Sequence, residues 1–363
     1  MSEWRYIATR MNGDGTETVL DWDVPLDDVS VQEALSGHGG VDGKISPEVA
    51  RLKDPQGKPI FKPWSTAIYA EASGQIRGGG ILTDLPMDGP TLSIDTIGHT
   101  GYWVKQPWIW EHKFDTADPL QVDRLIITEF QKQKGFNLGL TPTGDKKSRM
   151  VRMSESVSGS KELYYLGWWQ TLDLDRERQQ LAEFGGYEWT VGHRWSGERI
   201  VHEIEYGYPR IGARRTDLRF VVGENVPDNI GATDDGDEYA SHVLVLGAGQ
   251  GRKMVRAQDS QTTDRLGRWA VVSDKSIGKD QIAQTRATST LKALSGELDI
   301  TEIEVLDHPN APVGSYRAGD EILIQSGPGW ADFGDLWVRV MGVIHHPEKN
   351  TSSLQIRRGE KIT

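Results

Sequence analysis

Apolar residues along this chain alternate with polar ones in short runs, and only three segments carry a helical period. Trp4–Arg10 alternates, Asn12-Gly13-Asp14-Gly15 breaks the pattern as a turn, and Glu17–Trp22 alternates again, which predicts a β-hairpin. An acidic stretch (Asp21, Asp23, Asp27, Asp28) and the polar, glycine-rich Ser36–Asp42 follow. Ala67–Ala72, Gly79–Thr83 and Thr91–Gly98 read as further strands, the last two parted by the turn Leu85-Pro86-Met87-Asp88-Gly89-Pro90. The first 110 or so residues thus predict a small β-barrel or sandwich without a helix.

Helical signals come next. Asp118 suits an N-cap, Pro119 the first helical position and Gly135 the end, while Val122, Ile126 and Phe130 repeat at i, i+4, i+8 beside Leu125. Asn137–Ser160 is polar and rich in turns. A second amphipathic helix is predicted over Asp173–Phe184, stopped by Gly185-Gly186, with Leu174, Leu181 and Phe184 towards the core. A third spans about Asp280–Leu294, with Ala283, Ala287, Leu291 and Leu294 on one face and Gly296 after it. Around these helices the strand period returns at Tyr187–Val191, Arg199–Tyr206, Asp217–Val222, Tyr239–Leu246 and Trp269–Val272. It closes the chain at Ile300–Leu306, Glu321–Ile324, Trp337–Ile344 and Ser353–Arg358, with turns at Ala318-Gly319-Asp320, Ser326-Gly327-Pro328-Gly329 and Pro347–Thr351. Isolated helices among many short strands predict an α+β, mostly β protein.

The run Ser241-His242-Val243-Leu244-Val245-Leu246-Gly247-Ala248-Gly249-Gln250-Gly251-Arg252 begins like a dinucleotide-binding fingerprint. That motif needs a helix next, whose N-terminus receives the pyrophosphate. Here Lys253-Met254-Val255-Arg256-Ala257-Gln258-Asp259 alternates like a strand, and Arg252 stands where a small residue should let helix and sheet approach. Strand–glycine turn–strand is a hairpin, so no nucleotide is expected at Gly247–Gly251.

Composition narrows the classes further. The chain has 363 residues, 37% hydrophobic and 26% charged, which suits two to four folded domains. A net charge of −12 argues against a sequence-independent grip on nucleic acid. With no cysteine, disulfides, thiolate catalysis, iron–sulfur clusters and Cys-type zinc sites are excluded. The start Met1-Ser2-Glu3-Trp4-Arg5-Tyr6 lacks the apolar core of a secretory signal, and no apolar run approaches bilayer length. A soluble protein made in the cytoplasm, with no membrane anchor, is expected. The 41 glycines fit many turns between short antiparallel strands.

Candidate chemistry is sparse. Histidines lie at 38, 99, 112, 193, 202, 242, 308, 345 and 346, and none shows the helical i, i+4 spacing of a zinc site. His345-His346 are the only neighbours in sequence. On a strand they face opposite sides, which suits structural or surface roles. Asp234-Asp235-Gly236-Asp237-Glu238 crowds four carboxylates without the ligand spacing of an EF-hand, and reads as a solvated loop. Trp103, Trp108, Trp110, Trp168, Trp169 and Trp195 suit sugar platforms, cores or interfaces, and Trp168-Trp169 on a strand would send one ring inward and one outward. No nucleophile elbow and no phosphate-binding loop with Gly-Lys-Ser/Thr occurs. The sequence therefore assigns no catalytic, cofactor-binding or metal-ligating residue and no cofactor.

The order of elements nevertheless resembles the minor tail proteins of actinobacterial siphophages that form the distal tail hub, related in plan to the baseplate hubs of contractile-tailed phages. Three passages carry the likeness. They are Trp4-Arg5-Tyr6-Ile7-Ala8-Thr9-Arg10 with Glu33-Ala34-Leu35-Ser36-Gly37; Val41-Asp42-Gly43-Lys44-Ile45-Ser46-Pro47-Glu48; and Gly249-Gln250-Gly251-Arg252-Lys253-Met254-Val255-Arg256 through Asp274-Lys275-Ser276-Ile277. The resemblance implies two tail-tube-like β-barrels and two smaller helix-containing subdomains: 1–112 the first barrel, 113–200 an α/β subdomain, 201–250 with 305–363 a split second barrel, and 251–304 an inserted subdomain. It further implies a homotrimer in the virion that adapts a hexameric tail tube to the three-fold tail tip and encloses the DNA exit channel. Its expected neighbours are the distal tail protein or tube above, and tail-tip, central-fibre and tape measure proteins below or within. The genome would pass without specific binding, past acidic or neutral walls. The chain lacks the peptidase or lysozyme domain that some family members carry. A host cell-wall-directed hydrolase and a carbohydrate-binding tail-tip module remain the alternatives.

Overall fold

The computed structural model of this chain describes residues 3–152, 164–169, 171–227, 239–262, 264–274, 277–278, 280–294, 302–325 and 335–358. The predicted opening hairpin is β1 (Trp4–Met11) against β2 (Glu17–Asp21), its turn carried by Gly13 and Gly15 at positive φ. Two strands fill the stretch that showed no simple alternation, β3 (Asp27–Ala34) and β4 (Gly40–Ile45). They hold because Val29, Val31, Val41 and Ile45 are buried, with Gly43 buried between the last two, while Asp27 and Asp28 are exposed. A short helix, Pro47–Ala50, corrects the expectation of no helix here. Ser46 caps it, accepting from Val49 N at 3.3 Å, and Pro47 stands at its start. β5 (Thr66–Ala72), β6 (Gln75–Asp84), β7 (Met87–Asp88) and β8 (Thr91–Ile97) follow, then a 3-10 turn at His99–Trp103.

The middle of the chain contains β9 (Glu111–Phe114), β10 (Thr116–Ala117), the helix Pro119–Phe130, β11 (Leu140–Gly144), β12 (Val151–Arg152), β13 (Tyr164–Gly167), the helix Leu174–Gly185, β14 (Glu188–Ser196) and β15 (Arg199–Gly207). Both predicted helices form, though the first ends at Phe130 with Gln131 as its C-cap and not at the predicted Gly135, because the chain leaves the helical ladder in turns at 131–135. Asp118 accepts from Leu120 N at 3.0 Å, Asp173 accepts from Arg176 N, and Gly186 ends the second helix at φ 65. Residues 153–160 of the turn-rich stretch lie outside the described residues. The two helices share a core with β11, β13, β14 and β15, in which Trp103, Trp108 and Trp189 are fully buried.

The last part holds β16 (Arg214–Val221), β17 (His242–Leu246), β18 (Arg256–Ser260), β19 (Trp269–Ser273), the helix Asp280–Leu294, β20 (Glu302–Leu306), β21 (Glu321–Gln325), β22 (Leu336–His346) and β23 (Thr351–Arg358). The helix buries Ala283, Ala287 and Leu291 against Val243, Val245 and Ala257, so this small α/β unit has its own core. Gly296, the acidic run Asp234–Glu238 and the turn at Ser326-Gly327-Pro328-Gly329 lie outside the described residues.

The glycine-rich run is a hairpin loop, as its flanks predicted. β17 and β18 pair antiparallel from His242↔Ser260 to Leu246↔Arg256. The second strand starts later than its alternation suggests, because Gly251–Lys253 forms a 3-10 turn. The loop is knotted to its surroundings by main-chain bonds: Gly247 N to Val255 O at 2.8 Å and Ala248 N to Ile277 O at 2.7 Å. A Cβ on Gly247 would lie 2.3 Å from Ile277 O, so glycine is required there by close backbone approach.

One hydrogen-bonded path, β16-β21-β22-β3-β4-β8-β6-β5-β1-β2, runs through both ends of the chain. The two ends of the chain meet in it where β22 pairs antiparallel with β3, from Gly342↔Ala34 to His345↔Val31. The protein is α+β and mostly β. The described strands form one open hydrogen-bonded path with β2 and β16 at its ends.

Candidate functional site

Between the first β-block and the pair β14–β15, side chains from five elements converge. His193 and His202 are direct cross-strand partners of β14 and β15, and their Nδ1 atoms lie 2.8 Å apart. His99 enters from the 3-10 turn, Tyr69 from β5 and Glu17 from β2. Ring centroids are 4.4 Å apart for His99 and His202, 4.7 Å for His99 and His193, and 5.0 Å for His193 and His202. Glu17 Oε1 lies 3.1 Å from His202 Nε2 and accepts from the Tyr69 hydroxyl at 2.7 Å, while Thr9 Oγ1 donates to Glu17 Oε2 at 2.7 Å. A Cβ on Gly79 would fall 2.3 Å from the Tyr69 ring and 3.1 Å from His193, so β6 must be bare of side chain where it faces the cluster.

The electrostatics follow from burial. Desolvation, with the neighbouring His202, pulls His99 down to about 4, and desolvation with two facing rings holds His193 well below its ordinary value. Burial alone would raise Glu17. Hydrogen bonds from His202 and His99 outweigh it and keep this carboxyl well below the usual range. Two neutral imidazoles thus sit beside an ionised carboxylate. The ring nitrogen His99 Nδ1 is buried without a hydrogen-bond partner.

His193 also lines a cleft of about 240 Å³ between β3, β6, β14, β15, β22 and the loop before β21. Glu33, Arg77, Glu203, Glu205, Arg317 and His345 share that wall. Burial pushes Glu33 up to about 7, against the opposing backbone N–H of Ala318 and the charge of Arg317. Arg317 donates to Glu205 at 2.7 Å.

The other residues singled out by sequence scatter. His345 is buried and bonded to Ser352 Oγ at 2.7 Å, while His346 faces the other side of β22 towards Ser353, as neighbours on a strand should. His38 reaches Asp175 at 3.3 Å, and His242 packs on Trp269. Trp103 and Trp108 are core. Trp195 donates to Glu71 at 2.8 Å and stacks on Trp22. Trp168 and Trp169 follow β13 in a turn, not on a strand, and both rings are exposed, at 60% and 45%. The sequence hid the histidine cluster because its members are separated by 94 and 9 positions, 193 − 99 and 202 − 193. The one local signal was the spacing of His193 and His202 about the turn at Ser196–Arg199, which puts them opposite each other in a hairpin.

No protein-family model matches the chain, and neither does any curated protein. Solved structures do. The chain is similar to the 43 kDa tail protein of prophage MuSo2 from Shewanella oneidensis, at 11% identity and a TM-score of 0.59 over 98% of both chains. It is similar to a tail protein from Neisseria meningitidis MC58, at 13% identity and a TM-score of 0.55 over 99% of this chain and 98% of that one. From its first β-block to its last strand, this chain has the fold of a prophage tail protein.

Proposed function

We propose that this chain is a structural virion protein, the hub of a phage tail, three copies of which join the tail tube to the tail tip. The observation that carries this reading is the whole-length likeness to the MuSo2 tail protein, which takes in both terminal β-blocks and the helix-bearing parts between them. Two β-blocks per copy make six around a three-fold axis, which is the match a hexameric tube above and a three-fold tip below require. The edge strands β2 and β16 end the hydrogen-bonded path and offer main-chain groups for docking to neighbours. Exposed Trp22, Trp64, Trp168, Trp169 and Trp269 supply aromatic contact area for the same purpose. The tail tube or distal tail protein would lie above, with tip, central-fibre and tape measure proteins below or within.

A net charge of −12 suits a wall that DNA must pass quickly, since acidic side chains repel phosphate. Light scattering on the purified protein, or a density map of native tail tips, is expected to give three copies with acidic or neutral side chains facing the channel. Six copies in the ring, or a channel lined with Arg and Lys, would remove the adaptor reading.

One observation favours a second reading, a hydrolase acting on the host wall. Burial pushes Glu33 up to about 7 in a cleft that also contains Glu203 and Glu205, and an acid–base glycosidase uses a raised carboxyl group beside a second carboxylate. A zymogram on host cell wall decides it: clearing that is lost in Glu33→Gln supports the hydrolase, and absence of clearing sinks it.

A further inference from the structure

We propose that His99, His193 and His202 bind one divalent transition-metal ion of the zinc type through one ring nitrogen each, with Glu17 behind His202, and that the ion fastens β14–β15 to the first β-block. One nitrogen from each ring belongs to a set whose members all lie within 4.8 Å of one another. A tetrahedral zinc with metal–nitrogen bonds of about 2.0 Å spaces imidazole centroids about 5 Å apart. The three observed separations are 4.4, 4.7 and 5.0 Å. Adjacent ligand atoms of such an ion lie roughly 3.3 Å apart. His193 Nδ1 and His202 Nδ1 stand 2.8 Å apart, while Glu17 Oε1 lies 3.1 Å from His202 Nε2, on the other side of that ring, where it partners a ligand instead of serving as one. One nitrogen from each ring is therefore within reach of a common ion before any ion enters.

Simple packing accounts for the cluster less well. Three imidazoles gathered out of water lose their hydration, and hydrogen bonding within the group leaves His99 Nδ1 buried with no partner. Glu17, itself held by hydrogen bonds from Tyr69 and Thr9, would fix the His202 ring with Nδ1 turned to the ion, the carboxylate–histidine arrangement common at metal sites. Three imidazoles suit zinc and its first-row neighbours, and the chain has no thiolate to compete. Entry is open as well, because His193 forms part of the cleft wall. The three ligand-bearing elements span residues 99 to 202, so the ion would cross-link segments far apart in sequence.

The test uses the full-length chain stripped with chelator, then titrated with Zn²⁺ by calorimetry and with Co²⁺ by absorption. One ion per chain is expected, and the bound Co²⁺ should show the intense visible bands of four-coordinate geometry. His193→Gln, chosen because its ring borders the cleft, should weaken Zn²⁺ binding at least about 100-fold. His346→Gln, on the far face of β22, should leave it unchanged. Absence of stoichiometric binding, a pale six-coordinate Co²⁺ spectrum, or a His193→Gln protein that binds as tightly as its parent would each overturn the proposal. The Co²⁺ spectrum of the unsubstituted protein reads the site directly, so a variant that fails to fold does not remove the test.

Discussion

Arg178 is fully buried in the core of the middle subdomain, where helical periodicity alone would put an apolar residue. Its Nε donates to Asp123 Oδ1 at 2.6 Å, and the hydroxyls of Tyr206 and Tyr187 donate to Asp123 Oδ2 at 3.0 and 3.2 Å. The guanidinium also lies over the rings of Trp103 and Trp189, at 4.7 and 5.1 Å. A buried charge is tolerated only with its partner, so Asp123→Ala is expected to destabilise the protein by about 3–5 kcal/mol in chemical denaturation. Replacing the pair together with apolar residues should cost much less; equal losses would show that the pair itself is not what matters. His345 makes a pH prediction. Burial, with Arg77 and His346 nearby and Asp307 opposing, pulls it down to about 4. The unfolded chain then binds the proton more readily than the folded one, so this stability is complete above about pH 6.5 and is lost as pH falls towards 4. The shift corresponds to something of order 3 kcal/mol. His345→Gln should flatten the dependence of the denaturation midpoint over that window, and an unchanged slope would discard the assignment.

Among the elements, the helices were the most legible. Their caps are local chemistry: Asp118 and Asp173 accept from the first-turn amides, and Gly186 takes the left-handed conformation that ends the second helix. Asp118→Ala should cost about 1–2 kcal/mol, more than a simple cap, because the same carboxylate also accepts from Ser148 N and Oγ. A cost below about 0.5 kcal/mol in thermal unfolding would mean that the carboxylate does little beyond capping. β3 and β4 were not legible, since Asp27, Asp28 and the glycines at 37, 39 and 40 dilute the alternation of Val29, Val31, Val41 and Ile45. Those glycines are demanded by neighbours that only the fold supplies. A Cβ on Gly39 would lie 2.4 Å from Gln32 O.

For the whole molecule, the pairing of β22 with β3 makes the two ends of the chain one hydrogen-bonded body, reinforced by the ion pair of Arg339 with Glu188 across to β14. The unit of β17–β19 and the helix Asp280–Leu294 has its own small core. It is therefore expected to open as a separate cooperative unit, with hydrogen exchange over 242–294 faster than in β5 or β22. Leu291→Ala should destabilise that unit by roughly 2–5 kcal/mol while leaving exchange in the long strand path unaltered. Uniform loss of protection would instead mean a single cooperative body.

What the sequence determined by itself is whatever short-range chemistry decides: the three long helices and the N-caps of the first two, most strands, the hairpin at Gly247–Gly251, and the α+β, mostly β class. Alternation and capping act over a few residues, so they can be read from a few residues. The tertiary structure decided what depends on distant segments meeting. It joined β22 to β3 in an open path, buried Arg178 against Asp123, and gathered His99, His193 and His202 around Glu17. No local pattern encodes those contacts, because each is fixed by burial and hydrogen bonding between side chains that only the folded chain brings together.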